Sequence, residues 1–370
     1  MKPSVLYAGL AMGVWAVSGS VACWDGAQAF SRAADTSGSS STVWVRGPDL
    51  PRPVANNAVA GHSLDGRTEV YSFLGIDTSK VWSGVQSWAF RWRLNEDEWS
   101  LLPPVPGPGR LAATAQAVGG RVFVFGGYTV DADGGEVSIE SVDIFDPALE
   151  RWSSGAPIPI PVDDAVSGVW RDSLIYLVSG WHNDGNEPDV QIYDPWTDTW
   201  SQASPIPGPP VFGHTGGLAG DHLVYVDGAE VVVGRPRYRL AQSSWRGTID
   251  PAQPEHVEWS PLVPHPGPAL YRAAALGVEE GVLFYGGTDN PYNYNGLGYD
   301  GAPAGARTHG FFYRVESASW EALPPLPVAS MDHRGLALAR DRVVLVGGMN
   351  SAREVSARVW SAPIASLLPR

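Results

Sequence analysis

Short apolar runs recur along the chain, and six of them end in glycine. Within these runs β-branched and aromatic residues predominate, which is typical of short strands in stacked sheets. The six runs are VYSFLG (70–75), VFVFGG (122–127), IYLVSG (175–180), LVYVDG (223–228), VLFYGG (282–287) and VVLVGG (343–348). A further apolar run precedes each of them, so the pattern predicts an all-β fold built from repeats.

A tryptophan stands at a nearly constant distance before each of these glycines. In five repeats the distance from tryptophan to glycine is 28 residues, and in the first repeat it is 31. The distance from glycine to the next tryptophan varies from 20 to 33 residues. One half of each repeat therefore has a fixed length, and the other half carries the insertions. The tryptophans are Trp44, Trp99, Trp152, Trp200, Trp259 and Trp320.

The repeats predict a six-bladed β-propeller over residues 43–364, with a tail over 365–370. Each repeat supplies one four-stranded antiparallel blade, in which the tryptophan begins the fourth strand. No tryptophan strand follows Gly348, and no blade precedes Trp44. We therefore expect the N-terminal strand at Trp44 to complete the sixth blade, because closure removes exposed sheet edges. The tryptophans are interpreted as core residues between blades.

Composition and charge narrow the classes of partner. The net charge of −14 argues against nucleic acid, which needs a basic face. A local group of arginines can still bind an anionic small molecule. No glycine-rich loop leads from a strand into a helix, and the histidines show no HxxxH or HExxH spacing. We therefore predict neither a cofactor nor a metal site.

The first 29 residues are typical of an export signal. Lys2 precedes a short apolar stretch over 5–17, and small residues at 20–22 and 27–29 are candidate cleavage sites. Residues 30–42 are interpreted as a flexible leader. Cys23, the only cysteine, resembles a lipoprotein acceptor, so lipid anchoring and free secretion both stay open. A periplasmic or extracellular location is expected in either case, with membrane contact only through Cys23.

Polar residues are expected to gather at one end of the predicted channel. In this topology, strand 1 of every blade begins where strand 2 ends, so the residues at both points lie at one mouth. A mixed group of arginines, acids, histidines and aromatic rings suits an anionic sugar or a glycan. The alternative is that these arginines and acids simply pair with one another. The candidate binding residues are Asn57, Arg110, Asp164, His182, His214, Arg272, Asp289 and Arg334.

Glu230 is the candidate catalytic residue. It follows strand 2 of the fourth blade, near Arg235 and Arg237, where other blades carry glycine followed by tyrosine, tryptophan or threonine. A carboxylate beside arginines can act as a general base on a sugar hydroxyl. The alternative is a loop acid in a surface ion pair of small energetic value.

Three segments carry a resemblance to a known family. They are GPGRLAATAQAVGGRVFVFGG (107–127), VYVDGAEVVVGR (224–235) and YRAAALGVEEGVLFYGG (271–287). Together with the repeat, they resemble the kelch superfamily, and within it the secreted bacterial sialic-acid mutarotases (N-acetylneuraminate epimerases). The resemblance implies a periplasmic isomerase of an acidic sugar. It also implies that Glu230 transfers a proton and that Arg235 or Arg237 binds the substrate.

The resemblance has gaps that leave other functions open. The glutamate lies one residue later than a simple alignment with the family places it. The third-blade insertion is also short here, WHNDGNEP (181–188). A different substrate therefore stays open, as does a non-catalytic propeller that binds a glycan or a protein partner.

Overall fold

A computed structural model describes residues 43–64 and 66–368 of the chain. The predicted export signal, the leader over 30–42 and the acceptor Cys23 lie outside these residues. Six four-stranded antiparallel sheets surround a central channel, as predicted from the repeat. Within the described ranges, no helix has the length and apolar character needed to cross a membrane.

Five blades are each formed by four strands in order from the channel outward. Blade 1 contains Ala58–Leu64, Arg67–Phe73, Ala89–Arg93 and Ser100–Leu101. Blade 2 contains Thr114–Val118, Arg121–Phe125, Val142–Asp146 and Arg151–Ser154. Blade 3 contains Val166–Trp170, Leu174–Val178, Val190–Asp194 and Thr199–Ala203. Blade 4 contains Thr215–Ala219, His222–Val226, Ser244–Asp250 and Gln253–Pro261. Blade 5 contains Ala274–Val278, Gly281–Tyr285, Gly310–Arg314 and Ser319–Leu323.

Blade 6 joins the two ends of the propeller. Its inner strands are Ala337–Ala339, Arg342–Val346 and Val359–Pro363, and its outermost strand is Val45–Arg46. The predicted closure by the N-terminal strand is therefore confirmed. A short helix, Ile364–Leu367, follows blade 6 at the start of the predicted tail and buries Leu367.

The repeated tryptophans connect neighbouring blades. Five of them donate an indole hydrogen bond to the carbonyl four residues after the preceding tryptophan, over 2.7–3.1 Å. Their rings also contact aromatic residues, as Trp200 does with Tyr193 at a centroid distance of 4.9 Å. The acceptors are the carbonyls of Pro48, Pro103, Ala156, Ser204 and Val263. A constant spacing in the sequence thus corresponds to a constant contact between blades.

Glycine permits close contacts at two kinds of position. Around the channel, a Cβ atom added to Gly277 would lie 1.9 Å from the carbonyl oxygen of Leu218, so adjacent inner strands could not approach as they do. At the end of strand 2, Gly127 has a φ of +87°, and its added Cβ would lie 2.5 Å from the carbonyl oxygen of Leu111. The second contact explains the glycine that ends each strand-2 run.

The insertions stand on the end of the propeller where strand 1 begins, which we call the mouth. Blade 1 carries a 3-10 turn there, Trp82–Gly84. Blade 5 carries the insertion 290–301, where Tyr292 and Gly298 form a bridge. Three blades carry two-stranded hairpins: Tyr128–Val130 with Glu136–Ser138, Trp181–His182 with Gly185–Asn186, and Ala229–Val231 with Tyr238–Leu240.

Candidate functional site

A ring of six residues with left-handed backbone surrounds the channel at the mouth. Their φ angles lie between 49° and 67°. Blade-to-blade hydrogen bonds of 2.5–3.1 Å link these positions around the ring. Five join backbone groups, one of them from the N–H of His333, next to Asp332, to the carbonyl of Arg272; in the sixth, the Asn56 side chain accepts from the N–H of Ala112. Because a left-handed conformation is costly for residues other than glycine, this ring holds its side chains in orientations set by the closed fold. The ring consists of Asn56, Ala112, Asp164, Gly213, Arg272 and Asp332.

Arg272 binds two carboxylates inside this ring. Its Nε and Nη2 donate to the two oxygens of Asp164 at 3.1 and 2.6 Å. Its Nη1 donates to Oδ1 of Asp332 at 3.2 Å. Oδ1 of Asp332 also accepts from the Asn56 amide at 2.8 Å and from the Tyr292 hydroxyl at 3.1 Å. The charged groups therefore form one hydrogen-bonded network between blades 1, 3, 5 and 6.

The network closes the channel at the mouth. Arg334 reaches from blade 6 to donate to Asp164 of blade 3. The side chains of Arg272, Asp164, Asp332 and Arg334 are each at most 3% exposed. The structure brings the predicted residues Asp164, Arg272 and Arg334 together with Asp332, but these four side chains pair with one another in the interior. For Arg272 and Arg334, the mutual-pairing alternative describes the observed contacts.

Burial and neighbouring charges shift the pKa values of these acids. Burial raises the pKa of Asp332. It also raises the pKa of Asp163 well above its usual range, and the adjacent charge of Asp164 adds to this effect. Burial would raise the pKa of Asp164 too, but Arg272 and Arg334 outweigh it and hold that pKa below the ordinary value. Asp164 is therefore the ionised partner of the two arginines.

An aromatic layer covers Arg272 on the side of the mouth. The rings of Tyr271 and Tyr292 lie 5.0 and 5.4 Å from its guanidinium carbon. Phe212 packs edge-on against Tyr271 at 5.6 Å, and Trp181 packs against Phe212 at 5.3 Å. These contacts combine cation–π attraction with burial of apolar surface. A ligand at the mouth would therefore meet aromatic rings before it could reach Arg272.

Other predicted binding residues are held away from this network. Arg110 is buried and donates to Asp143 of strand 3 of blade 2 at 2.6 Å. The Asn57 amide donates to the Ser72 hydroxyl of blade 1 at 2.8 Å. These two residues therefore join parts of blades and do not converge on the mouth.

The two predicted histidines also contact backbone carbonyls. His182 Nδ1 lies 2.7 Å from the carbonyl oxygen of Pro161, and His214 Nε2 lies 2.9 Å from that of Val178. Burial lowers the pKa of His214 to about 4. His214 is therefore neutral near pH 7 and supplies no charge for an anion there.

Glu230 lies in the hairpin of blade 4 and pairs with Arg239. Arg239 lies opposite it across the hairpin and donates to Oε1 of Glu230 through Nε at 3.0 Å and Nη2 at 2.6 Å. The side chains of Glu230 and Arg239 are 15% and 69% exposed. Tyr238, the next residue, points to the opposite face of this hairpin and packs on Trp181. Glu230 is therefore separated from the aromatic layer and from Arg272.

A pocket of ≈ 410 Å³ lies between this hairpin and the insertion of blade 5. Arg235 and Arg239 line it, together with the rings of Tyr238 and Tyr299, whose centroids are 4.4 Å apart. Asp289 also lines the pocket and forms an ion pair with Arg307. The structure thus brings Arg235 and Asp289 to one cavity, with Glu230 bonded to an arginine in its wall.

Arg237 lies on the other side of the same hairpin. Its guanidinium carbon is 5.5 Å from the ring of Trp181 and 5.4 Å from that of Tyr238, and it donates to the carbonyl of Asp184 at 2.8 Å. Arg237 therefore fixes this hairpin against that of blade 3.

Sequence analysis missed Glu136, which belongs to the hairpin of blade 2. It pairs with Val130 and shares that side of the hairpin with Tyr128 and Ser138, which are buried in the mouth. Glu136 itself is exposed, but partial desolvation beside the mouth raises the pKa of its carboxyl, and the charge of Arg272 opposes that shift. The turn DADGG (131–135) followed by alternating residues could have indicated this hairpin.

Comparison with known proteins supports the kelch architecture. The Kelch motif matches residues 109–159, which span the four strands of blade 2. A solved structure titled "Structure of YjhT" matches with a TM-score of 0.68 and 17% sequence identity, over 84% of this chain and 95% of that chain. At this identity the likeness concerns the fold. No curated protein matches the chain. Within the described part of the chain, no group of three or more His, Cys, Asp or Glu side chains is placed to hold a metal ion.

Proposed function

We propose that this kelch-repeat β-propeller is a cofactor-free carbohydrate mutarotase or epimerase acting on an acidic sugar such as a sialic acid. The carrying observation is the blade-4 pocket, where Arg235, Arg239, Tyr238 and Tyr299 line one cavity and Glu230 is bonded to Arg239. Arginine pairs with carboxylates in a planar geometry, and tyrosine faces suit sugar rings. The pocket volume of ≈ 410 Å³ lies within the usual range for small-molecule sites.

The pair of Glu230 and Arg239 supports a mechanism that the substrate itself starts. The carboxylate of the sugar competes with Glu230 for the exposed guanidinium of Arg239. Glu230, once released, accepts the proton of the anomeric hydroxyl while water protonates the ring oxygen. The ring C–O bond breaks to give the open carbonyl form, and closure on the other face returns both protons. No cofactor takes part in these steps.

A substitution of the proposed base tests this assignment. We expect Glu230→Gln to abolish enzyme-dependent anomeric exchange while binding of the sugar changes less than about tenfold, because the amide cannot accept the proton. Glu321→Gln is the matched control, since Glu321 also binds an arginine, Arg314, in a partly exposed pair distant in sequence from the pocket. NMR exchange spectroscopy of the anomeric signals measures the rates. Equal rates in Glu230→Gln and the wild type would remove Glu230 from the mechanism.

A non-catalytic binding propeller is the second candidate function. Val231 and Val233 of the blade-4 hairpin are exposed, and Val233 lines the pocket. Exposed apolar side chains beside a polar pocket also suit a glycan or a protein partner. Binding of an acidic sugar without faster anomeric exchange would favour a glycan-binding role. The absence of both binding and faster exchange would favour a protein partner.

We further propose that the protein is exported through its first 29 residues. The basis is the Lys2, apolar-stretch and small-residue pattern of the sequence. The intact mass of the protein from its native cell identifies the cleavage site, and an added acyl mass on Cys23 would indicate a lipid anchor. An uncleaved N terminus would contradict export by this route.

A further inference from the structure

The central channel is a polar cavity distinct from the pocket of blade 4. It has a volume of ≈ 230 Å³ and is lined by residues of strand 1, or just before it, from all six blades. Strand 1 is hydrogen-bonded only to strand 2 within each sheet, so its other edge presents backbone N–H and C=O groups to the channel. Thr114, Ser167 and Thr215 add hydroxyl groups to the lining. The channel wall is therefore hydrophilic.

Arg334 closes this channel at the end nearest the mouth. It belongs to blade 6 and donates to Asp164 of blade 3. These two blades lie opposite each other in a six-membered ring, so the Arg334 side chain spans the channel. The network around Arg272 and the aromatic layer fill the space beyond Arg334. A ligand therefore enters from the end where strand 1 finishes.

Arg334 uses only one of its donors in the network. Asp164 already accepts two hydrogen bonds from Arg272, and Arg334 shares this carboxylate through Nη1 alone. Nε of Arg334 has no hydrogen-bond partner among the described residues. His214 and His333 line the same end, and burial lowers their pKa values to about 4 and about 3, so both are neutral near pH 7. A buried guanidinium with unused donors favours an additional anionic partner.

We propose that the closed end of the channel binds a small oxyanion through Arg334. Inorganic phosphate and short carboxylates share the required chemistry, which is a compact negative charge with several acceptor oxygens. The anion would complete the hydrogen bonding of Arg334 at the point where blades 3 and 6 meet. Binding only to the closed propeller, it would stabilise the folded state. This site is independent of the proposed sugar chemistry.

Calorimetric titration of the whole protein tests the site. Sodium phosphate and sodium acetate are titrated separately at constant ionic strength, which separates the two sources of oxyanion. We expect saturable binding of at least one of them, weakened tenfold or more in Arg334→Gln. Arg340→Gln is the matched control, because exposed Arg340 lies at the far end of strand 1 of the same blade. Unchanged binding in Arg334→Gln would overturn the proposal.

Crystals of the wild-type protein soaked in sodium selenate give a second test that does not depend on a variant folding. An anomalous peak within hydrogen-bond distance of Arg334 supports the site. Peaks only at other positions, or none at a selenate concentration that a parallel calorimetric titration with sodium selenate shows to be saturating, overturn it. The absence of any phosphate or acetate binding by calorimetry overturns it as well.

Discussion

At the scale of single residues, the mouth shows how far residue type and position predict a role. The positions of Asp164 and Arg272 at the starts of their strands indicated that they meet at one end of the channel. Their burial could not be predicted, because it depends on distances across the ring between blades far apart in sequence. Asp164 and Arg272 are 108 residues apart and share two hydrogen bonds. The position of each residue in its repeat therefore predicted that Asp164 and Arg272 lie close together. Closure of the ring determines that they bind each other.

Removal of Arg272 should destabilise the propeller strongly. Arg272→Gln leaves Asp164 and Asp332 buried with less positive charge nearby, so we expect a loss of about 3–5 kcal/mol in the free energy of unfolding. Arg46→Gln is the control, because Arg46 and Asp49 form an exposed ion pair, for which we expect a loss of less than about 1 kcal/mol. Chemical denaturation followed by tryptophan fluorescence measures both. Similar small losses in the two variants would show that the buried network contributes little.

The buried histidines should make the protein sensitive to mild acid. Burial lowers the pKa values of His214 and His333 from 6.5 to about 4 and about 3, so both stay neutral in the folded state. Their stabilising effect is complete above pH 6.5. It declines as the pH falls towards 4, because the unfolded chain binds protons that the folded chain does not. Each histidine should contribute a slope of about 1.4 kcal/mol per pH unit in this window.

Substitution of one histidine separates the histidine contribution to the pH dependence of the unfolding free energy from that of the carboxylic acids. We expect His214→Gln to reduce the slope of unfolding free energy against pH between about 6 and 4.5, whatever its effect on stability at pH 7. His256→Gln, at an exposed position, should leave the slope unchanged. Denaturation curves at a series of pH values provide the comparison. Identical slopes in His214→Gln and the wild type would contradict the account.

At the scale of strands and hairpins, alternation determines which side chains can meet. The sequence predicted that Glu230 follows strand 2 of blade 4. In the structure that strand is His222–Val226, and Glu230 lies in the next strand, Ala229–Val231. The sequence did not predict that Arg239, rather than Arg235 or Arg237, lies opposite Glu230. That pairing depends on the length of the turn between the two hairpin strands, which the sequence pattern did not define. For the same reason, the sequence pattern did not predict the position of Glu136 in the hairpin of blade 2.

Closure of blade 6 should depend on the residue that precedes its outermost strand. Trp44 is 1% exposed, and its ring packs edge-on against Tyr285 of blade 5 at 5.0 Å. We expect Trp44→Ala to lower the free energy of unfolding by about 3–5 kcal/mol, because it removes a large buried ring at the closure. Trp196→Ala, at a tryptophan 59% exposed, should cost less than about 1 kcal/mol. Thermal unfolding measures both; equal melting temperatures would contradict the importance of this closure.

At the scale of the whole molecule, the repeated residues predict the architecture, whereas the insertions between repeats form the pocket. Repeated tryptophans and glycines predicted the number of blades and the closure, because each blade contacts its neighbours in the same way. The pocket of blade 4 could be predicted only in part, since it lies between the hairpin of blade 4 and the insertion 290–301 of blade 5, and the repeat does not determine the length or shape of either segment. The negative net charge of the chain does not exclude an anionic ligand, because Arg235 and Arg239 present guanidinium groups to this pocket, beside Asp289 and Asp300.

We propose that this propeller interconverts the anomers of an acidic sugar. Exchange spectroscopy of N-acetylneuraminate, with and without the purified protein, measures this directly, and a neutral hexose provides the matched substrate control. We predict faster anomeric exchange for the acidic sugar and little or no acceleration for the neutral hexose. Exchange of both sugars at their uncatalysed rates, under conditions where the acidic sugar binds, would contradict the catalytic account.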